Sequence, residues 1–357
     1  MLRVGKKSIL VYNMFGDRMT NIYDLRLEAL ESFMVEHGQK KFRASQIFDW
    51  IYKKKVVSFK EMSNVSQEVI DLLEANFEIK TLEKVIESKS VDGTVKYLYG
   101  LKDGNLIETV VMNHDYGYSI CVTSQVGCNM GCRFCASGIL KKKRNLTAGE
   151  IMSQIIESER AYGKRISYVV VMGIGEPFDN YEHLMTFLTN ANSSKGLEIG
   201  ARHITVSTCG IVPKIKEYAD EQLQINLAIS LHAPNNEVRN QLMPINKAYP
   251  IEQVIDAIRY YMTKTNRRIT IEYILIDELN DKKEHAYELL KLLKGLNVYV
   301  NLIPYNEVLE APFKRSKREN QEAFYDVLKK GGMNATLRKE QGHDINAACG
   351  QLRSQNL

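Results

Sequence analysis

The sequence is poor in the residues that mark special architectures: its 357 residues hold 7 prolines, 22 glycines, six cysteines and one tryptophan. So little Pro and Gly excludes a collagen repeat, and 44% hydrophobic content excludes an intrinsically disordered chain. Six cysteines over this length are too sparse for a disulfide-stapled secreted fold. They suit a reducing cytosol, where clustered thiols bind metal or do redox chemistry. No run approaches the roughly 18 apolar residues of a membrane span. Met1 to Asp17 lacks the apolar core and cleavage site of a signal peptide. A cytoplasmic protein without membrane association is expected. Charge of one sign is also scarce: 48 Lys and Arg face 43 Asp and Glu, a net +5. That surplus announces a nucleic-acid partner only if it is locally concentrated.

The length suggests about two domains. Residues 1–20 read as a loose extension, with Met19 as an alternative start to Met1. Over 21–78 the apolar residues Leu25, Leu27, Leu30, Phe33 and Met34, then Ile47, Trp50 and Ile51, then Val69, Leu72 and Leu73 recur at helical spacing. This reads as a small helical domain. Between 40 and 60, Lys40, Lys41, Arg43, Lys53, Lys54, Lys55 and Lys60 face the acid Asp49, with Phe42, Trp50, Tyr52 and Phe59 interleaved. The mixture suits phosphate contact and base stacking on RNA; a solvated helix face is the alternative. Across 79–117 the period changes to that of short strands, with turns at Asp92-Gly93 and Asp103-Gly104, a β linker. From 118 to 357, strand-like runs at 120–123, 167–172, 204–207, 225–231, 269–276 and 298–303 alternate with helical segments. Six βα repeats argue an α/β fold with a parallel sheet curled into a partial or full barrel, which carries its chemistry at the strand C-terminal ends.

The densest chemical signal is Gly127-Cys128-Asn129-Met130-Gly131-Cys132-Arg133-Phe134-Cys135, a C-x3-C-x2-C triplet just after the first barrel strand. Thiols at this density imply zinc or an iron–sulfur cluster. Zinc wants a fourth ligand, and the flanking His114 and His183 are distant and lack a matching pair. Three thiols fit a [4Fe–4S] cube with one iron left open for a small molecule.

On these residues the chain resembles the radical S-adenosylmethionine (SAM) superfamily, whose fold is a partial (β/α)6 barrel. The resemblance implies a [4Fe–4S] cluster on Cys128, Cys132 and Cys135. It also implies SAM bound at that cluster and cleaved reductively to a 5′-deoxyadenosyl radical. Gly175 and Glu176 in Gly173-Ile174-Gly175-Glu176-Pro177 resemble the loop that meets the methionine amino group. Ser207, Ser230-Leu231-His232 and Asn306 match further cofactor-contacting positions. Residues 42–52, Cys121 to Cys128 and Asp344 to Leu352 narrow the likeness to the RlmN family of RNA adenine-C2 methyltransferases and its relative Cfr. It spans about residue 21 to 353, with 21–78 as an RNA-binding accessory domain. That family implies three roles: Cys349 accepts a methyl, Glu108 accepts a proton and Cys121 resolves the covalent adduct through a disulfide. The implied reaction consumes two SAM and methylates C2 of adenine in ribosomal RNA and transfer RNA, with flavodoxin or ferredoxin as electron donor and a monomeric enzyme. Two alternatives stand beside it: a Cfr-like enzyme acting at C8, and a non-catalytic zinc-bearing RNA-binding protein. Without the resemblance, Glu108 would be an exposed strand residue, Cys349 a flexible-tail thiol and Cys209 a buried small hydrophobe. Lys141-Lys142-Lys143-Arg144 and Lys314-Arg315-Ser316-Lys317-Arg318 are further candidate RNA contacts, or solvated loops.

Overall fold

Helical spacing of apolar residues becomes three short helices near the N-terminus of a computed structural model that describes residues 19–352. Residues 1–18 of the extension expected over 1–20 lie outside the described residues, and Thr20 at its end is already in a strand. A parallel pair, β1 (Thr20–Asn21) with β2 (Phe77–Glu78), closes the helical unit at both ends. Between them run α1 (Leu27–Glu36), α2 (Phe42–Phe48) and α3 (Gln67–Asn76), which bury Leu30, Phe33, Ile47, Phe48, Val69 and Leu73. After α2 the backbone widens into a π turn over Asp49–Lys53.

Packing of this unit corrects one expectation. Trp50, Tyr52 and Phe59 are buried and cannot stack on bases. A domain this small has little other apolar surface and spends its aromatics on the core. Trp50 donates from Nε1 to Asn64 Oδ1 at 2.7 Å, and Tyr52 packs edge-on against Tyr23. Of the four interleaved aromatics Phe42 stays exposed, with the Arg43 guanidinium 5.0 Å from its ring centroid.

The hairpins read as a β linker are continuous with the main sheet. The strands β3 (Glu83–Lys89), β4 (Val95–Gly100), β5 (Leu106–His114) and β6 (Gly117–Cys121) form an antiparallel meander. A short ladder of β7 (Gln125–Val126) with β8 (Arg144–Asn145) then clamps the next loop, whose one helical turn is α4 (Ala136–Ile139). After α5 (Ala148–Tyr162) come β9 (Ile166–Val171), α6 (Tyr181–Asn192), β10 (Ile204–Thr208), α7 (Val212–Asp220) and β11 (Asn226–Ser230). The series ends with α8 (Asn236–Leu242), α9 (Ile251–Thr265), β12 (Ile269–Leu275), α10 (Lys283–Leu292), β13 (Val298–Pro304), α11 (Arg318–Lys330) and β14 (Ala335–Leu337). Strand order is β14-β13-β12-β11-β10-β9-β6-β5-β4-β3, parallel from β14 to β6. All six expected barrel strands are present, and β14, too short to show a period, is a seventh.

Alternation along the strands sets the two faces of the sheet. Ile120, Val169, Val171, Ile204, Val206 and Ile229 join the large core shared with the helices. The intervening residues, among them Cys121, Val170, Ser207, Ser230 and Glu272, turn to the opposite, inner face. There Cys121 and Val170 pack with Val110 and Ala347.

Candidate active site

The Cys triplet lies in the loop between β7 and α4, at the C-terminal end of β6. Two other loops interlock with its entry segment. Thr123 Oγ1 accepts from Ile174 N at 3.1 Å and donates to the Glu108 carbonyl at 2.6 Å. Gln125 Oε1 accepts from Glu176 N at 2.9 Å, while its Nε2 reaches Asn145 and Asp179. Gly175 sits at φ +108, and a Cβ there would fall 2.6 Å from that of Gln125, so only glycine allows the approach. Glu176 is buried; its Oε2 accepts from Cys209 N at 2.8 Å and its Oε1 from Phe178 N at 3.0 Å. Burial pushes its carboxyl above the ordinary range even so. The Glu176 side chain thus staples the β9 loop to the β10 loop.

Cys128, Cys132 and Cys135 stand within one another's electrostatic field. Burial raises all three thiols, Cys128 to about 12. Thiols so desolvated ionise only for a compensating cation. Among the described residues no group of three or more His, Cys, Asp or Glu side chains closes tightly enough to hold a single metal ion. Three thiols in one loop would hold three irons of a cube and leave the fourth open.

The residues matched to SAM contacts line the inner face beside this loop. Ser207 and Ser230 place their hydroxyl oxygens 3.3 Å apart. His232, at φ +57, accepts from Ile274 N on Nδ1 at 3.1 Å, which leaves its proton on Nε2, and Phe134 of the cluster loop packs edge-on against it. Burial, then Arg239, pulls His232 down to about 3, so it is neutral. Leu231 is fully buried and serves through its backbone, its N–H donating to the Glu272 carbonyl. Asn306 donates to the Cys349 carbonyl at 3.1 Å, while its buried Oδ1 has no partner, an acceptor left for a ligand donor. The donor set and this orphaned acceptor fit a cluster-bound SAM.

The remaining candidates arrive from both ends of the fold. Glu108 is 6% exposed rather than the exposed strand residue that local pattern suggests, because β4 and β6 flank β5 on both sides. Its neighbour by two, Val110, pairs with Cys121 across β5 and β6. Lys96 Nζ lies 3.1 Å from Glu108 Oε1 and donates to the Asn346 carbonyl at 3.3 Å. Cys349 is exposed but tied down: Gly350 O accepts from Ala136 N at 2.8 Å, and Leu352 O from Ser137 Oγ at 2.7 Å. On its other side the Ser90–Thr94 turn acts as a clasp. Ser90 Oγ donates to Asp344 Oδ1 at 2.6 Å, and Gly342 N to Asp92 Oδ2 at 2.8 Å. Cys121 lies in the field of Cys349, and burial raises its thiol to about 12. The fold thus gathers Glu108, Cys121 and Cys349 next to the cluster loop.

Sequence reasoning missed Arg239, which is 0% exposed and bonds the carbonyls of Cys209, Leu231 and Tyr249 and the Asn246 side chain. It places a buried cation near Cys132. Its one signal was a charge on a helix whose neighbours Val238 and Leu242 face inward. Cys209 is buried, as expected, and its backbone holds both Glu176 and Arg239. The basic runs are less free than their sequence suggests. Lys142 pairs with Asp179, Arg144 with Asp103 and Glu150, Arg315 with Glu340 and Arg318 with Glu322.

An open, mostly parallel sheet with a Cys triplet at its first parallel strand is the architecture of a radical SAM enzyme, and the family model for the radical SAM superfamily matches residues 122–290. A second model, the ribosomal RNA large subunit methyltransferase N-terminal domain, matches residues 20–79. The chain is 62% identical over 336 residues to the probable dual-specificity RNA methyltransferase RlmN of Acholeplasma laidlawii, covering 94% of this chain and 99% of that one. It is 57% identical to the corresponding Enterococcus faecalis protein, covering 94% and 97%. A crystal structure of a radical SAM methyltransferase from Sphaerobacter thermophilus superposes with a TM-score of 0.89 at 43% identity, covering 94% of this chain and all of that one. The chain belongs to the RlmN family of radical SAM RNA methyltransferases, and its cofactors are a [4Fe–4S] cluster and SAM.

Proposed function

We propose that this enzyme methylates C2 of an adenine in ribosomal RNA and in transfer RNA through a methylated cysteine, consuming two SAM. Adenine C2 is an electron-poor ring carbon, so polar attack of the ring on a methyl sulfonium is not open to it. When bound at Cys128, Cys132 and Cys135, the cluster supplies the electron that makes SAM a source of hydrogen-abstracting radical. The protein's own residues do the rest. Cys349 accepts a methyl on sulfur from one SAM; that methyl gives up a hydrogen atom to the radical drawn from the second SAM, and its carbon bonds the adenine carbon while still held on the Cys349 sulfur. Glu108, paired with Lys96, takes the ring proton as a placed general base. Cys121 thiolate then attacks Cys349 sulfur; the carbon leaves with the electron pair and takes a proton to become the methyl group, and the disulfide left behind is reduced by an external thiol. The 21–78 domain and the unpaired part of the basic surface hold the RNA, and an electron donor such as flavodoxin or ferredoxin serves the cluster.

The observation that carries this reading is the convergence of Glu108, Cys121 and Cys349 beside the triplet, from chain positions that share no local motif. A zinc-bearing binding protein needs none of the three. Mass spectrometry of nucleosides from RNA incubated with reconstituted enzyme, SAM and reductant should find 2-methyladenosine. 8-Methyladenosine would assign the Cfr-like reaction instead. Cys121→Ala should accumulate a covalent protein–RNA adduct, and normal turnover without adduct would remove Cys121 from the resolving role.

A further inference from the structure

Four aromatic rings on the inner face, below the reacting thiols, have no part in the reaction as described. His114 and Tyr116 stack at 4.7 Å with an interplanar angle of 8°. Tyr116 meets Tyr168 edge-on at 5.0 Å, and Tyr168 stacks on His203 at 4.3 Å. His114 is further fixed by a 2.8 Å bond between its Nε2 and Ser119 Oγ. This is not a core in the ordinary sense, since Tyr116 is 64% exposed and His203 is exposed too.

Strand register ties the rings to the active site. Cys121 pairs with Val170 and Ser119 with Tyr168, so Tyr168 lies on the same face as Cys121 and two residues down the sheet, about 6.6 Å. Arg338, which follows β14, sits within electrostatic reach of Tyr116, Cys121 and Cys349 together. The rings thus continue, along the same face of the sheet, the row that Cys121 begins.

We propose that His114, Tyr116, Tyr168 and His203 form a stacking platform for the unpaired RNA base next to the target adenine. The proposal rests on the RNA-methyltransferase reading and adds a second base subsite to it. An adenine drawn out of its stack leaves a neighbour without a partner. A row of rings already locked against one another takes up that base with little loss of side-chain freedom, and it does so without reading its identity. Specificity for the target position then arises partly from where the neighbour lands.

The test uses the full-length enzyme and synthetic hairpin RNAs with adenine-containing loops, 2-aminopurine replacing each neighbour of an adenine in turn. Binding to the wild type should quench the 2-aminopurine in one register. Tyr116→Ala and Tyr116→Leu should both lose the quench and raise KM and Kd about tenfold, with kcat within about twofold. Tyr116→Phe and Tyr116→Trp should retain wild-type behaviour. Leu fills the space without an aromatic face, so its failure separates stacking from packing, and the exposed turn position keeps all four variants folded. Quench and affinity unchanged in Tyr116→Ala would overturn the platform. Absence of methylated adenine with the wild type, alongside a Tyr116-dependent quench, would instead overturn the reaction assignment and leave the platform standing.

Discussion

The cluster loop and the Cys349 segment meet at Ala136 and Gly350, yet they are held in different ways. The cluster loop is knitted in by buried backbone and amide contacts: Thr123 to Ile174, Gln125 to Glu176, Asn180 Nδ2 to the Ser124 and Leu146 carbonyls. The Cys349 segment is held by single polar contacts spread along an irregular stretch: the Asp92 and Asp344 clasp, Lys96 to the Asn346 carbonyl, Asn306 to the Cys349 carbonyl, and the Gly350 and Leu352 carbonyls. Its residues Gly342 and Asn346 adopt left-handed backbone, and it has no regular element beyond one 3-10 turn. A metal site needs donors fixed to a fraction of an ångström. In the proposed reaction the Cys349 thiol would meet SAM, then RNA, then Cys121, and so would need to move. The difference in anchoring follows the difference in task.

Damage to the first region should be all or none. Cys128→Ala leaves two thiolates for the cube, and it should lose the absorbance near 400 nm and all RNA methylation together. A variant with full cluster content and full turnover would break the comparison at its rigid end. Damage to the second region should be graded. Asp344→Ala removes the anchor shared by Ser90 Oγ and Val91 N and should slow methylation about tenfold through misplacement of Cys349. Its iron content and cluster spectrum should stay at wild-type level. Loss of cluster in Asp344→Ala would mean that the two regions are one cooperative unit.

The smallest effect concerns stability rather than rate. His232 is held near 3 against an ordinary 6.5 by burial first and Arg239 second. A depressed folded value means its contribution is fully present above pH 6.5 and falls away as the pH drops toward 3, because the unfolded chain binds the proton first. Between pH 7 and 5 this should remove about 2 kcal/mol, read from urea midpoints. His232→Asn tolerates the left-handed backbone at that position and should flatten the dependence. An unchanged slope would remove His232 as the source.

Much of the fold was legible because each barrel strand carries its own apolar run, and a buried parallel strand needs nothing else to be recognised. The triplet was legible for a similar reason, its three ligands lying within one loop. What stayed hidden depends on distance in the chain. Trp50, Tyr52 and Phe59 alternate with lysines as a nucleic-acid surface would, and the packing of a small domain turned them inward. Lys142, Arg144 and Arg315 formed basic runs in sequence, and acids from other loops neutralised them. The +5 surplus is accordingly spread thinner over the surface than its clusters along the chain suggest. Arg239 gave almost no local sign of being a buried cation.

The sequence alone therefore determined the elements, their order and the Cys triplet proposed to hold the cluster, because those depend on period and spacing within a few residues. Only the tertiary structure decided that Glu108 is buried beside Lys96, that Cys121 and Cys349 share one space, and that four separated rings form a row. Those relations come from strand register and from a C-terminal segment folding back across the sheet, and register is a property of paired strands that no single stretch of chain contains.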